Sequence, residues 1–217
     1  MMIPLLALLF LQSFIPLALS QPGYGQTTKY CAPSSGSTAG ICYLQYYISP
    51  TAPIFRIAIP SDASSNAAFD TILQIVSPTA LGWVGFAWGG GMTGNPLTVV
   101  WPNGNTGQVT VSSRWSTGRT LPGTYSSATY KTLSSSRNAT HWSVEVVCTG
   151  CSRWTGGSIN TQGYGQFAWA LSRTAVPQPS NPSGSFAIHN NVGMISEPLD
   201  FGKNSREVFT GWVNKRP

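Results

Sequence analysis

Hydrophobic and polar residues alternate along much of this chain in short runs, which are separated by glycine, proline, serine and asparagine. The run WSVEVV at 142–147 shows the period of two most clearly, because Trp142, Val144 and Val146 fall on one face and the residues between them on the other. No stretch keeps a helical apolar period for three turns. The pattern predicts β-strands, which we place at 54–59, 71–76, 82–88, 97–101, 108–113, 142–147 and 166–171.

Turn signals fall between these runs and favour an antiparallel fold. The segment WPNGNTG at 101–107 contains Asn-Gly, the strongest short signal for a β-hairpin. Many short strands at close spacing indicate a sandwich or a barrel. There is no internal repeat, and we interpret PQPSNPSGS at 177–185 as a long loop that returns the chain to the sandwich. We therefore expect an all-β fold in one domain.

Residues 1–20 form a nearly continuous apolar segment that ends in Ala18-Leu19-Ser20, a small-x-small cleavage pattern. The segment lacks the usual basic beginning, but its two prolines and the cleavage pattern favour a signal peptide over a membrane anchor. No later segment approaches 18 uninterrupted apolar residues. We expect a secreted, extracellular protein without a membrane span, with residues 21–217 as a single, monomeric domain.

The net charge of +6 reflects scarce acids more than a basic block, since only 8% of the residues are charged. A surface that binds nucleic acid needs clustered lysine and arginine, whereas those of this chain are scattered. We therefore expect no nucleic-acid partner. Attraction to an acidic protein or polymer remains an alternative to a merely basic surface.

The even number of cysteines, four, predicts disulfides in a secreted chain. Three pairings are possible, and the local one joins Cys31 to Cys42 and Cys148 to Cys151, closing loops that contribute roughly 3 and 2 kcal/mol. The CTGC segment could be a redox motif, but it is not set in a βαβ unit, so we favour a structural role. Ser152 follows it where covalent haem attachment needs histidine.

The chain has one glycosylation sequon, Asn138-Ala139-Thr140. Polar residues surround it and place it in a turn before the strand predicted at 142–147. A glycan on Asn138 would therefore lie in solvent.

Hydrolytic catalysis finds no support in the sequence. Nothing pairs any two of the six acidic residues, and there is no G-x-S-x-G nucleophile elbow. With only two histidines, a zinc site of three imidazoles is excluded. The segment GYGQFA at 163–168 matches a dinucleotide fingerprint but precedes a strand rather than a helix. We expect no catalytic turnover, with ferric reductase activity left open.

Methionine and histidine are scarce beyond residue 20, where only Met92, Met194, His141 and His189 occur. A thioether and an imidazole are a matched pair for haem iron, which then passes electrons without binding oxygen. His141 lies beside the sequon, and Met194 is too close to His189 in sequence for the two to approach one iron from opposite faces. A sandwich could bring Met92 to His189. Gap-filling and a surface histidine remain the alternatives.

Four further segments of the sequence are GWVGFAWGGGMTGNPLTVVWPNGNTGQVTVSSRWSTG at 82–118, THWSVEVVCTGCSRW at 140–154, GQFAWALS at 165–172 and FAIHNNVGM at 186–194. In this order they resemble the cytochrome domain of fungal cellobiose dehydrogenases, a haem b family related to DOMON sandwiches. The resemblance implies an immunoglobulin-like, DOMON-like two-sheet antiparallel β-sandwich with haem b held non-covalently at one edge. It also implies Met92 and His189 as axial ligands and a disulfide between Cys148 and Cys151.

The resemblance further implies a relay of single electrons. The donor would be an extracellular flavin or quinone sugar dehydrogenase, and the acceptor a lytic polysaccharide monooxygenase, a ferric complex or a quinone. Glycines 89–91 would let the backbone lie close to the macrocycle, and methionine opposite histidine raises the potential relative to two histidines. Departures from the family are the basic charge and Asn190-Asn191-Val192, where an aromatic ring often follows the histidine. No dehydrogenase domain follows in this sequence, and a fragment of a longer dehydrogenase remains an alternative.

The haem pocket candidates are two arginines and two tryptophans. Arg119 is the first candidate for binding the propionates and Arg114 the second, although either could be a solvated surface residue. Trp88 and Trp101 could line the pocket, and core packing explains them equally well. A function of another class is a haem-free DOMON-like carbohydrate-binding module that uses some of the eight tryptophans and eight tyrosines.

Overall fold

The computed structural model describes residues 25–33, 40–104 and 106–214, and most of its strands form two antiparallel sheets. The predicted signal peptide, 1–20, lies outside the described residues. Among the described residues, no helix is long and apolar enough to cross a membrane. The strands are β1 (Gln26–Cys31), β2 (Cys42–Tyr47), β3 (Ile54–Pro60), β4 (Thr71–Pro78), β5 (Trp83–Ala87), β6 (Pro96–Pro102), β7 (Val109–Trp115), β8 (Gly123–Thr124), β9 (Thr129–Arg137), β10 (His141–Thr149), β11 (Arg153–Trp154), β12 (Gly157–Ser158), β13 (Tyr164–Ser172), β14 (Asn191–Pro198) and β15 (Lys203–Asn204).

The first sheet has the strand order β1-β2-β3-β4-β10-β9, with β15 parallel to β3. The second sheet has the order β14-β13-β5-β6-β7-β8. β6 and β7 form the hairpin predicted from Asn103-Gly104, with Pro102 opposite Val109. The all-β, two-sheet sandwich expected from the sequence is confirmed, and each predicted run contains a strand.

The main core lies between the sheets. Phe55 of the first sheet and Phe86 of the second meet there with ring centroids 5.5 Å apart. Trp142, Val144 and Val146 share this face, as their alternation predicts, and each is only 1% exposed. Burial on this scale is the main favourable contribution to folding.

A short helix, α1 (Arg206–Asn214), covers the outer face of the first sheet. Ser205 caps its beginning, since the Ser205 side chain accepts a hydrogen bond from the backbone amide of Val208 at 3.3 Å. Phe209 and Trp212 pack on the sheet, where the Trp212 indole donates to buried Glu145 at 3.1 Å. At nine residues, α1 is too short for the three-turn period that would have predicted it. In the part of the chain that the structure describes, no helix packs on the outer face of the second sheet, and this face builds the site.

Candidate functional site

A strip of small side chains runs across the outer face of the second sheet. Gly85 and Ala87 of β5 lie opposite Ala170 and Ala168 of β13. Alternate residues of a strand share a face, so these four positions form a nearly flat, apolar floor. A cavity of about 970 Å³ lies above it, at the upper end of the roughly 300–1,000 Å³ typical of sites for cofactors and other small molecules.

Residues 174–190, here called the strap, cover one side of this cavity. Phe186 of the strap packs edge-on against Trp83, with ring centroids 5.0 Å apart. Apolar side chains line the open side of the cavity although they are exposed to solvent, namely Leu121, Ile188, Val192 and Met194. Exposed apolar residues gathered at one cavity mark it as an interaction site.

Met92 and His189 both line this cavity. Met92 is half-buried against the apolar cluster of the outer face, and His189 is exposed at the end of the strap. Within the described part of the chain, the His189 imidazole has no hydrogen-bond partner, so both ring nitrogens are available. His141 does not line the cavity, and its Nδ1 lies 3.0 Å from the Thr140 hydroxyl.

The structure brings a second thioether to the same cavity. Met194 stands on β14 opposite Ala168 of the floor and is 64% exposed. Its nearness to His189 in sequence therefore does not keep it from the site. Its position on an edge strand beside the floor differs from that of Met92, which lies in a loop above the floor.

The loop that carries Met92 is fixed by its neighbours. A Cβ atom on Gly89 would lie 1.8 Å from Oδ1 of Asn95 and 2.7 Å from the Trp154 ring, so only glycine fits there. The Trp154 indole donates to the carbonyl of Gly94 at 3.0 Å, and the Asn95 amide donates to that of Gly91 at 3.0 Å. The loop is thereby held close to the sheet.

Trp154 reaches this loop from the hairpin β11–β12, which follows a disulfide. The structure pairs Cys148 with Cys151, and Cys31 with Cys42. In the sequence, Trp154 is the last residue of THWSVEVVCTGCSRW at 140–154, and no local pattern indicates that it contacts the Met92 loop. Its contact depends on how the hairpin folds over the sheet.

The two arginine candidates occupy different environments. Arg119 is exposed and lines the cavity. Arg114 is 3% exposed and does not line it, and its side chain donates to backbone carbonyls that include Pro122 at 3.1 Å and Pro182 at 2.9 Å. Burial lowers the pKa of Arg114 from its ordinary value because it removes water from the guanidinium.

Neither tryptophan candidate lines the cavity. Trp88 lies in the core between the sheets, where its indole donates to the Thr98 hydroxyl at 2.9 Å. Trp101 is on the outer face but lies beneath the strap, and its indole donates to the Pro179 carbonyl at 2.9 Å. The tryptophans that do line the cavity are Trp83 and Trp169, which sequence reasoning did not select.

The lining residues fit haem b. A porphyrin supplies the equatorial nitrogen ligands of its iron, so the protein needs only two axial donors, and a thioether and an imidazole are suitable ones. The cavity suits a bare metal ion less well. The described residues contain no group of three or more His, Cys, Asp or Glu side chains that could hold a metal ion together. The flat floor suits a planar apolar ring, and the exposed guanidinium of Arg119 suits a carboxylate.

Comparison with known proteins places this geometry in context. The family model described as the cytochrome domain of cellobiose dehydrogenase matches residues 35–206. A pyrroloquinoline quinone-dependent pyranose dehydrogenase of Coprinopsis cinerea is 33% identical over 183 residues, which are 82% of this chain and 25% of that protein. The chain thus spans about a quarter of the length of that relative.

Two solved structures share the fold. The cytochrome b domain of pyranose dehydrogenase from Coprinopsis cinerea has a TM-score of 0.75 and 28% identity, covering 88% of this chain and 98% of that one. The cytochrome domain of Myriococcum thermophilum cellobiose dehydrogenase has a TM-score of 0.78 and 26% identity, covering 90% and 98%. The resemblance found in the sequence is therefore confirmed.

Proposed function

Because this chain belongs to the family of the cytochrome domain of cellobiose dehydrogenase, we propose that it binds haem b non-covalently and transfers single electrons, with Met92 and His189 as the axial ligands. The observation that carries the proposal is the presence of both side chains at one cavity over a flat apolar floor. When bound, the haem would supply a one-electron couple, and Met92 and His189 together would hold its iron without leaving a position for substrate. We propose no catalytic turnover beyond electron transfer.

The chain's own residues have distinct tasks in this proposal. Met92 provides a soft donor from a loop that Trp154 and Asn95 hold in place. His189 provides an imidazole from the end of the strap. Arg119 pairs with a propionate, and the apolar rim excludes water from the ring. A drier site strengthens these electrostatic contacts.

The names of the relatives, a pyranose dehydrogenase and a cellobiose dehydrogenase, support a dehydrogenase as the donor. We propose an extracellular flavin or quinone sugar dehydrogenase as donor and a lytic polysaccharide monooxygenase, a ferric complex or a quinone as acceptor. Secretion rests on the signal pattern at 1–20, and residues 21–217 form one monomeric domain in this proposal. A glycan on Asn138 is compatible with its exposed turn, where Oδ1 accepts from the Thr140 hydroxyl at 3.1 Å.

The carbohydrate-binding alternative is not favoured. A sugar platform needs exposed aromatic faces, but no tryptophan is among the exposed large apolar side chains of the described residues. Only Tyr164 and Phe201 of that exposed group are aromatic.

The test of the proposed relay is anaerobic mixing. The oxidised protein is combined with a pyranose or cellobiose dehydrogenase and its sugar, and the haem absorption is followed. We expect reduction that needs both enzyme and sugar, and re-oxidation when a copper polysaccharide monooxygenase is added. Reduction by dithionite without any reduction by the dehydrogenases would contradict the proposed donors.

A further inference from the structure

Arg114 is a buried cation without a carboxylate partner among the described residues. The ion pairs found there join Lys203 to Asp200 and Arg206 to Asp62. The Nε atom of Arg114 donates to the Ser112 hydroxyl, and its terminal nitrogens donate to three backbone carbonyls, those of Pro122, Pro182 and Gly184. Burying a charge is costly unless hydrogen bonds satisfy it, and these four hydrogen bonds satisfy the guanidinium of Arg114.

Two of those carbonyls, Pro182 and Gly184, belong to the strap, and neighbouring side chains also donate to strap carbonyls. The Trp101 indole and the Thr110 hydroxyl both donate to Pro179, and the Ser112 hydroxyl donates to Pro182 at 2.5 Å. Thr110, Ser112 and Arg114 alternate along β7 and so face the same side. Proline has no amide hydrogen, so the three prolines of the strap leave it fewer donors for pairing with a strand. Side chains of β6 and β7 secure its carbonyls instead.

The strap leads directly to His189. Phe186 of the strap packs between Arg114 and Trp83. Its ring centroid lies 5.2 Å from Cζ of Arg114 and 5.0 Å from the centroid of the Trp83 ring. Just after His189, the amide of Asn190 donates to Leu171 at 2.7 Å and its side chain accepts from the amide of Arg173 at 2.8 Å. The imidazole makes no hydrogen bond within the described part of the chain, so these anchors determine where it stands.

We infer that Arg114 is the positioning residue for His189: its guanidinium fixes the strap and so holds the imidazole at the cavity wall. This rests on the haem ligation proposed above. It assigns Arg114 a role distinct from binding a propionate, because Nε and both terminal nitrogens already donate within the protein. The planar fork matters, since one ammonium group cannot reach all these acceptors in the same directions.

The test compares Arg114→Met with Arg56→Met. Arg56 is the control because its guanidinium is partly buried and donates to Gln45 at 2.7 Å and Gln74 at 2.6 Å, but in the first sheet. For Arg114→Met we expect amide exchange within 185–190 to rise at least tenfold. We also expect haem transfer to apomyoglobin to accelerate at least tenfold and a high-spin fraction to appear, which added imidazole converts back to low spin.

Arg56→Met should lower the melting temperature and leave the haem spectrum, the transfer rate and strap exchange unchanged. Arg114→Lys should give strap exchange, a haem transfer rate and a high-spin fraction that lie between those of wild type and Arg114→Met. If Arg114→Met does not fold, Ser112→Ala removes one strap anchor and should show the same signature more weakly. The inference would be overturned if the folded Arg114 or Ser112 variant kept the strap exchange and the spectrum of wild type. It would also be overturned if Arg56→Met changed both as much. A wild-type protein without haem absorption would instead refute the proposed function, and strap exchange would still test the anchor.

Discussion

At the scale of single residues, scarcity is the signal that indicates the site. Beyond residue 20 the only methionines and histidines of the chain are Met92, Met194, His141 and His189. The structure brings Met92 and His189 to one cavity, keeps His141 away and adds Met194. No property of the sequence alone showed that Met194 would face the cavity, because that depends on which face of β14 lies beside the floor.

Alanine substitution tests the proposed ligands. Met92→Ala and His189→Ala should each lose the low-spin spectrum and bind haem at least tenfold more weakly, because each removes an axial donor. The control is His141→Ala, which should keep the wild-type spectrum because His141 does not line the cavity. The measurement is the absorption spectrum of each variant during titration with haemin. A low-spin spectrum that survives in both Met92→Ala and His189→Ala would show that the ligands are others.

The glycines before Met92 are not equivalent. Gly89→Ala places a methyl group against Asn95 and Trp154, and overpacking of this kind costs about 1–3 kcal/mol. Gly91→Ala should be tolerated, since its added Cβ meets nothing closer than 4.0 Å. Thermal unfolding of the two variants measures the difference. Equal melting temperatures for both would argue against a tightly packed loop.

The pocket tryptophans show where reasoning from the sequence stops. Alternation along 82–88 places Trp83 on the face of Gly85 and Ala87, and Trp88 on the opposite face. Both faces are buried, one by the other sheet and one by the strap. The pattern separates the two faces but does not say which of them holds a ligand, and so Trp88 was selected instead of Trp83.

At the scale of elements, alternation found the strands that bury one face strongly and missed those that do not. β9 reads TYKTLSSSR and is polar at most positions, because it is an edge strand of the first sheet. β14 is an edge strand too, and its exposed Val192 and Met194 belong to the cavity rim rather than to a core. A strand that buries little of its surface in a core has no clear apolar alternation, so a local pattern does not reveal it.

A buried hydroxyl chain connects the two sheets. The Trp88 indole donates to Thr98 of β6, and the Thr98 hydroxyl lies 2.7 Å from that of Tyr130 in β9. Burial raises the pKa of Tyr130 to about 12 from its ordinary value of 10.0. The folded state therefore keeps a proton that the unfolded chain loses, and stability should fall as pH rises between about 10 and 12.

Tyr130→Phe tests this coupling. At about 1.4 kcal/mol for each unit of pKa, the wild-type free energy of unfolding should fall about 2–3 kcal/mol more than that of the variant between pH 9.5 and 12. Below about pH 9.5 the two should show parallel pH dependence. Urea unfolding across this range provides the measurement. Identical slopes at high pH would mean that Tyr130 titrates as a solvated phenol does.

At the scale of the whole molecule, the joining of Met92 to His189 was the step least accessible from the sequence. Each lies in a loop outside the regular strands, and only the sandwich topology makes them neighbours of one floor. The family resemblance supplied that topology in advance, which pattern alone could not. Hydrophobic alternation indicated the sheets, and the family resemblance indicated which residues the two sheets bring together at one site.

The basic charge of the molecule should influence partner binding. Arg119 is the only lysine or arginine among the residues that line the cavity within the described chain, and no carboxylate lines it. For an acidic donor, the second-order rate constant of reduction should fall as ionic strength rises, because salt screens exposed charges. Arg119→Ser should lower that constant roughly two- to fivefold at low salt.

Lys29→Ser is the control for this effect. It removes the same charge from the exposed edge strand β1 of the other sheet, and the rate constant should stay near that of wild type. Stopped-flow absorption gives the rates. Equal losses in both variants would indicate that net charge, and not Arg119, guides the donor.

The central claim is that this cavity holds a six-coordinate haem, and an absorption spectrum of the protein, oxidised and then reduced with dithionite, tests it most directly. We predict a Soret band that shifts on reduction and sharp α and β bands in the reduced state, as low-spin iron with two axial protein ligands requires. A folded protein that stays colourless, and whose spectrum shows no such bands after haemin is added, would contradict the claim.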